Sequence, residues 1–290
     1  MKRVFPDYIK QAAVISPAGY PDEAELSAGA ALLERNGIKV NIMPHAIGCR
    51  SKEFPYLAAS DQERADDFMR AYCDRGNDII IASRGGYGCG RMLDLIDWNM
   101  LKQYPDKIVA GYSDLTSLFL AMTSRKCGTP LASVMTAKLP ECGEFEFQHL
   151  ADALCGRKRS FQLEVIKNGS ASGDILAGNL TVFASCIGTE YFPDVKGKVL
   201  FLEEVGEDPY RIDRLLNQLH LSGVLAKCSA VVFGHLSGCR REDVLPILQH
   251  YSKYVNGPVL NGFAYGHELP FAALKYGDTA AICGENAVIC

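Results

Sequence analysis

Along the first half of the chain, short apolar runs alternate with longer stretches whose apolar positions recur every three or four residues. AAVIS (12–16), IKVNIM (38–43), DIIIAS (78–83) and KIVAGY (107–112) are brief and rich in Val, Ile and Ala, as buried strands are. DEAELSAGAALLERNG (22–37) and DQERADDFMRAYCDRG (61–76) have helical spacing, with Gly37 and Gly76 as stops. GRMLDLIDWNMLKQ (90–103) reads as a third helix, and Leu115, Leu118, Phe119 and Met122 mark a fourth. Strands alternating with helices imply right-handed βαβ units and a parallel sheet.

Between about 137 and 176 the pattern loosens into polar, turn-rich segments such as KLPECGEFEFQ, GRKRS and KNGSASGD. The expected organisation is an N-terminal α/β domain over 1–138, a linker over 139–175 and a smaller C-terminal α/β domain over 176–290. In the second domain GNLTVFASCIG is a short helix, KVLFLEE a strand apolar on both faces, and Asp208–Pro209 the start of the helix YRIDRLLNQLHLSG. SAVVFGH is a strand, REDVLPILQHYSKY a helix and GPVLNGFAYGH a strand with its turn.

The chain has 290 residues, 48% of them hydrophobic, which is ample for two packed domains. Its net charge of −4 and lack of a long basic run argue against nucleic acid or an anionic membrane as partner. No stretch approaches 18 apolar residues, and the first residues do not read as a secretory signal. Eleven cysteines without C-x-x-C pairs argue against a disulfide framework or structural zinc, and most are expected as small core residues in a reducing cytoplasm. Cys89 and Cys127 are expected to be buried rather than nucleophilic.

Three turns carry the candidate chemistry. In AGYSDLTSL (110–118) Ser113 stands between a strand and a helix, either as a helix cap or as the nucleophile of a strand–turn–helix elbow. Gly111 suits the elbow, but Leu115 replaces its second glycine. SRGGYGCGR (83–91) is a glycine turn whose N–H groups can approach an anion, though it matches neither dinucleotide nor phosphate-loop spacing. FLEEVGEDPYRIDR (201–214) places Glu203, Glu204 and Glu207 past a strand end, and His235 and His267 each follow a glycine after a strand. No spacing supports a metal site. Ser, Glu and His at strand ends are the parts needed for acyl transfer, with the site in the cleft between the domains.

RGGYGCGRMLDLIDW, GYSDLTSL, GNLTVFASCIGT, VLFLEEVGEDPYRIDRLLNQL and GFAYGHELP together resemble the serine L,D-carboxypeptidase family, the muramoyl-tetrapeptide carboxypeptidases, in order over nearly the whole chain. The resemblance implies Ser113 as nucleophile, Glu203 as triad acid, His267 as general base and the N–H groups of Gly86 and Asp114 as oxyanion hole. It implies release of the terminal D-alanine from murein tetrapeptide by a cytoplasmic homodimer without metal or organic cofactor. Arg84 and Arg240 are position-only candidates for the substrate carboxylate. Lys275 stands where a proline is common in the family.

A sister branch, the microcin-immunity peptidases, shares these motifs and cleaves aminoacyl or peptidyl nucleotide conjugates. Its members tend to be longer, and an aromatic platform for the base would mark it; the single Trp98 falls inside an expected helix. A non-catalytic anion-binding protein is the alternative from another class.

Overall fold

The computed structural model describes residues 5–290. Its first part runs β1 (Gln11–Ile15), α1 (Glu23–Arg35), β2 (Lys39–Ile42), α2 (Asp61–Cys73), β3 (Ile79–Ala82), a 3₁₀ helix (Cys89–Leu95), α3 (Trp98–Leu101), β4 (Ile108–Gly111), α4 (Leu115–Arg125) and β5 (Thr129–Ala132). Strands β5, β4, β3, β1 and β2 lie side by side in that order, all parallel. All four residues of β3 are buried, as the continuous apolar run DIIIAS requires of a strand covered on both faces. Strand order reverses between β1 and β3, so the turns leaving those strands open into the crevice where α/β sheets bind ligands.

Caps set the helix starts. Asp22 accepts the N–H groups of Ala24 and Glu25, and Ser60 forms a reciprocal capping box with Glu63. Two expected helices differ from their sequence reading. The helix of residues 61–76 ends at Cys73, because Asp74 turns extended and its carboxylate takes the Gly76 N–H. The helix of residues 90–103 is broken in two: Asp97 leaves helical geometry and caps α3 through the N–H groups of Asn99 and Met100.

The second part runs α5 (Glu144–Leu154), β6 (Arg159–Gln162), β7 (Glu164–Lys167), β8 (Ser170–Asn179), α6 (Leu180–Ser185), β9 (Val199–Val205), α7 (Pro209–Leu221), α8 (Val224–Lys227), β10 (Ala230–Ser237), α9 (Arg241–Ser252), β11 (Val259–Asn261), β12 (Leu274–Lys275), β13 (Thr279–Cys283) and β14 (Asn286–Ile289). It forms an eight-stranded sheet in the order β6-β14-β13-β8-β9-β10-β11-β7. β8 belongs to two regimes. Ser170–Asp174 pairs antiparallel with β13 and alternates in exposure, whereas Ile175–Asn179 pairs parallel with β9 and is wholly buried. Segment 139–175, read as a linker, thus carries α5, β6, β7 and the first half of β8. Its strands left little apolar signal because β6 and β7 are the two edges of the sheet. β12 returns to the first sheet and pairs antiparallel with β5.

The two sheets meet behind α4. The Thr116 hydroxyl donates to the Ser113 carbonyl at 2.6 Å and accepts the Asn179 N–H at 2.9 Å, joining the end of β8 to the turn after β4. Tyr276 donates its hydroxyl to the Ala177 carbonyl, and its N–H to the Pro130 carbonyl. Only four of the eleven cysteines (Cys89, Cys127, Cys186 and Cys228) are buried, against the expectation that most would be; all eleven are free thiols.

Candidate active site

Ser113 leaves β4 through a turn in which its own backbone takes φ of 65°, the left-handed region that a side chain ordinarily avoids. The helix that follows starts after Asp114, and the Ser113 hydroxyl caps nothing. The Oγ lies 3.0 Å from His267 Nε2. The hydroxyl thus does not serve as a helix cap, and the turn has the strained geometry of a strand–turn–helix elbow.

The elbow needs room that only glycine leaves. A Cβ at Gly85 would stand 2.9 Å from the Ser113 Cβ and 3.0 Å from its Oγ. Gly86 has φ of 115°, a conformation closed to other residues. Neither the Gly86 N–H nor the Asp114 N–H is hydrogen-bonded among the described residues, and both lie on turns bordering the serine.

His267 comes from the loop after β11. Its Nδ1 is 2.8 Å from Glu203 Oε2, so the hydroxyl, imidazole and carboxylate form one continuous chain. A carboxylate on Nδ1 fixes the tautomer that leaves Nε2 free to accept the serine proton. Glu203 is fully buried on β9, whereas the His267 side chain is about one-fifth exposed. Tyr112 packs its ring edge-on against His267, with centroids 5.0 Å apart, and against Phe271 at 5.1 Å. Burial, reinforced by the Glu203 charge, pushes the Tyr112 phenol up to about 12, and the same two causes raise Tyr265. Both therefore face the carboxylate as neutral groups at physiological pH.

The other acids are employed elsewhere. Glu204 is buried and accepts from Asn179 Nδ2 at 2.9 Å and from the N–H and hydroxyl of Thr181 at 2.8 and 2.7 Å, which caps α6. Glu207 pairs with Arg211. His235 is held through its own N–H to the Tyr265 carbonyl, and its Nδ1 is buried without a partner among the described residues.

The two arginine candidates part company. Arg84 is exposed in the glycine turn and donates only a 3.3 Å bond to the Tyr20 carbonyl among the described residues. Arg240 is bound through two nitrogens to Asp243, at 2.8 and 3.1 Å, with Glu242 at 3.4 Å. It lines a cleft of about 220 Å³ with Gly234, Leu236 and Val244 that includes neither Ser113 nor His267. Lys275 pairs with Asp278 at the end of β12. Trp98 is buried and donates to the Leu93 carbonyl, so it offers no free aromatic face. Among the described residues no group of His, Cys, Asp and Glu could hold a metal, and no helix is long and apolar enough to cross a membrane.

Sequence reading missed the scaffold of the site. Arg64 is a fully buried cation on α2, and its place four residues before Phe68 on the apolar face was the available signal. Nothing local marked Tyr112 or Thr116, whose partners lie far along the chain.

The chain matches the LD-carboxypeptidase N-terminal domain over residues 12–132 and the LD-carboxypeptidase C-terminal domain over 172–282. It is 31% identical to a Bacillus subtilis protein named as a probable murein peptide carboxypeptidase, over 93% of this chain and 87% of that one. It is 28% identical to the murein tetrapeptide carboxypeptidase of Pseudomonas aeruginosa, over 94% and 93%. The muramoyltetrapeptide carboxypeptidase structure from Oxalobacter formigenes superposes with a TM-score of 0.84 at 26% identity, covering 96% of this chain and 97% of that one. An MccF-like protein from Bacillus anthracis has a TM-score of 0.87 at 21% identity over 97% and 96%, a likeness of fold alone. With both domains in order and the similarity running the length of the chain, this protein belongs to the LD-carboxypeptidase family of serine carboxypeptidases.

Proposed function

We propose that this protein is a cytoplasmic serine L,D-carboxypeptidase, acting as a homodimer, that releases the terminal D-alanine from murein tetrapeptide during peptidoglycan recycling. The observation that carries the reading is the Ser113–His267–Glu203 chain, with bonds of 3.0 and 2.8 Å, in a chain similar to murein tetrapeptide carboxypeptidases. Ser113 Oγ attacks the scissile carbonyl as its proton passes to His267 Nε2. Glu203 stabilises the imidazolium, and the N–H groups of Gly86 and Asp114 receive the oxyanion, a contribution of roughly 3 kcal/mol per donor. The C–N bond then breaks, the D-alanine nitrogen takes the proton from His267, and water hydrolyses the acyl-enzyme by the same relay.

Arg84 is the better placed of the two arginines for the free carboxylate of D-alanine, since its charge has no acidic partner among the described residues. The division into a nucleophile domain and a domain carrying Glu203 and His267 fits this reading, because the relay closes only where the two sheets meet. The test is release of D-alanine from the diaminopimelate and lysine tetrapeptides, run beside an aminoacyl sulfamoyl adenosine. Cleavage of the nucleotide conjugate alone would move the protein to the microcin-immunity branch.

A further inference from the structure

The turn that carries Gly86 is gripped by two buried charges. Asp114 is only 4% exposed, and its Oδ2 accepts the Cys89 N–H at 2.7 Å. The Arg64 side chain is wholly buried, donates to the Gly88 carbonyl at 2.8 Å and to the Pro17 carbonyl, and pairs with Asp61. Asp61 is held in turn by Arg91 at 2.8 Å.

This arrangement has a physical logic. The Arg64 guanidinium reaches the Gly88 carbonyl only because residue 88 has no side chain: a Cβ there would meet Arg64 Nη1 at 2.9 Å and Leu57 Cδ2 at 2.7 Å. A glycine, however, cannot cap the 3₁₀ helix that starts at Cys89, and no side chain from its own segment does so. The missing cap comes from across the site, on the residue that follows Ser113. Burial raises the Asp114 carboxyl above the usual range, countered by the backbone N–H groups of Cys89 and Gly88 and by the Arg64 charge. A buried carboxyl is costly unless it is hydrogen-bonded, and the Cys89 N–H provides that bond, with the Arg64 charge nearby.

We propose that the Asp114 side chain is a positioning residue of the oxyanion hole: by capping the Cys89 N–H in place of the side chain Gly88 lacks, with Arg64 holding the Gly88 carbonyl, it sets the Gly86 N–H relative to Ser113. One residue then serves twice, its backbone N–H as an oxyanion donor and its carboxylate as the strut aligning the other donor. The inference rests on the serine-hydrolase reading above, but not on the identity of the peptide.

The experiment compares wild type and Asp114→Asn in their rate of reaction with a fluorophosphonate. There the Ser113 Oγ–P bond forms, fluoride leaves, the serine proton goes to His267 and the P=O oxygen occupies the oxyanion position. Asparagine keeps the volume but replaces one acceptor oxygen with an N–H donor. The labelling rate per active site falls about 10- to 100-fold, and kcat for D-alanine release falls in proportion while KM stays within about threefold. A merely structural role would lower the melting temperature or the active fraction and leave the rate per active site unchanged; that result, or labelling at the wild-type rate, overturns the proposal. Should Asp114→Asn not fold, Arg64→Lys keeps the charge but loses the planar fork, and it must show the same joint fall in labelling and kcat or the proposal fails. A wild-type protein that labels at Ser113 but releases no D-alanine counts against the substrate reading alone. One that does not label at all overturns both.

Discussion

Glu203 and Glu204 are neighbours on β9 and serve opposite faces of the sheet. Glu203 Oε2 lies 2.8 Å from His267 Nδ1, while Glu204 Oε2 accepts the N–H and hydroxyl of Thr181 at the start of α6. Successive strand side chains point to opposite sides, so one strand supplies a group to the relay and another to the scaffold. Replacing either by glutamine therefore has distinguishable consequences. Glu203→Gln is expected to fold and to lose roughly 10³- to 10⁴-fold in kcat, the scale seen when a relay carboxylate becomes an amide. Glu204→Gln is expected to cost about 1–3 kcal/mol of stability, because a buried cap loses an acceptor, while its folded fraction keeps most of its turnover. Denaturant melts and initial rates on both variants check this; wild-type kcat in Glu203→Gln removes it from the relay.

Ser113→Ala is expected to release no D-alanine and to melt at or above the wild-type temperature. The positive φ at this position belongs to an elbow held by the surrounding fold, and removing a hydroxyl leaves that backbone in place. Near-full activity in this variant ends the serine-hydrolase reading.

His267→Ala abolishes turnover, whereas His235→Ala keeps the relay intact, since His235 touches the rest of the site through its backbone N–H to Tyr265. The measurement is D-alanine release by each variant at matched folded concentration. Loss confined to His235→Ala reverses the assignment.

Arg84→Ala is expected to raise KM for the tetrapeptide about 10-fold or more with a smaller effect on kcat, as loss of a charge-assisted contact to a carboxylate does. Arg240→Ala leaves KM near wild type, because Asp243 already satisfies that guanidinium. Equal KM values for Arg84→Ala and wild type would exclude Arg84 from carboxylate recognition.

His149 gives stability a pH dependence away from the site. It stacks on Phe161 and packs at a tilt against Phe145, and its pKa is lowered by burial first and by Arg159 second, against the opposing charges of Asp152 and Glu146. With the folded-state value below the unfolded one, the unfolded chain binds the proton more readily. This contribution is thus present above about pH 6.5 and is lost as pH falls through the folded pKa. His149→Phe is expected to lose less melting temperature than wild type between pH 7 and pH 5; parallel curves would show that another group is responsible.

By itself the sequence determined the elements whose period is local. The buried parallel strands β1, β3, β4, β9 and β10 announced themselves as apolar runs, and α1, α4 and α7 by apolar spacing, because a strand or helix face is written within a few residues. Five ordered motifs named the family and, through it, the three relay residues. What local pattern could not carry was any contact between distant segments. Local pattern alone left Ser113 open between cap and nucleophile; the fold brings His267, 154 residues away, to 3.0 Å from its hydroxyl. The edge strands β6 and β7 went unread because an edge buries too little to imprint a period on its sequence. The different partners of Glu203 and Glu204, and of Arg84 and Arg240, were likewise not written in their local sequence. Adjacent or similar residues differ in role only through what packs against them, and here that packing comes from the other sheet, the loop after β11 and the first turn of α9.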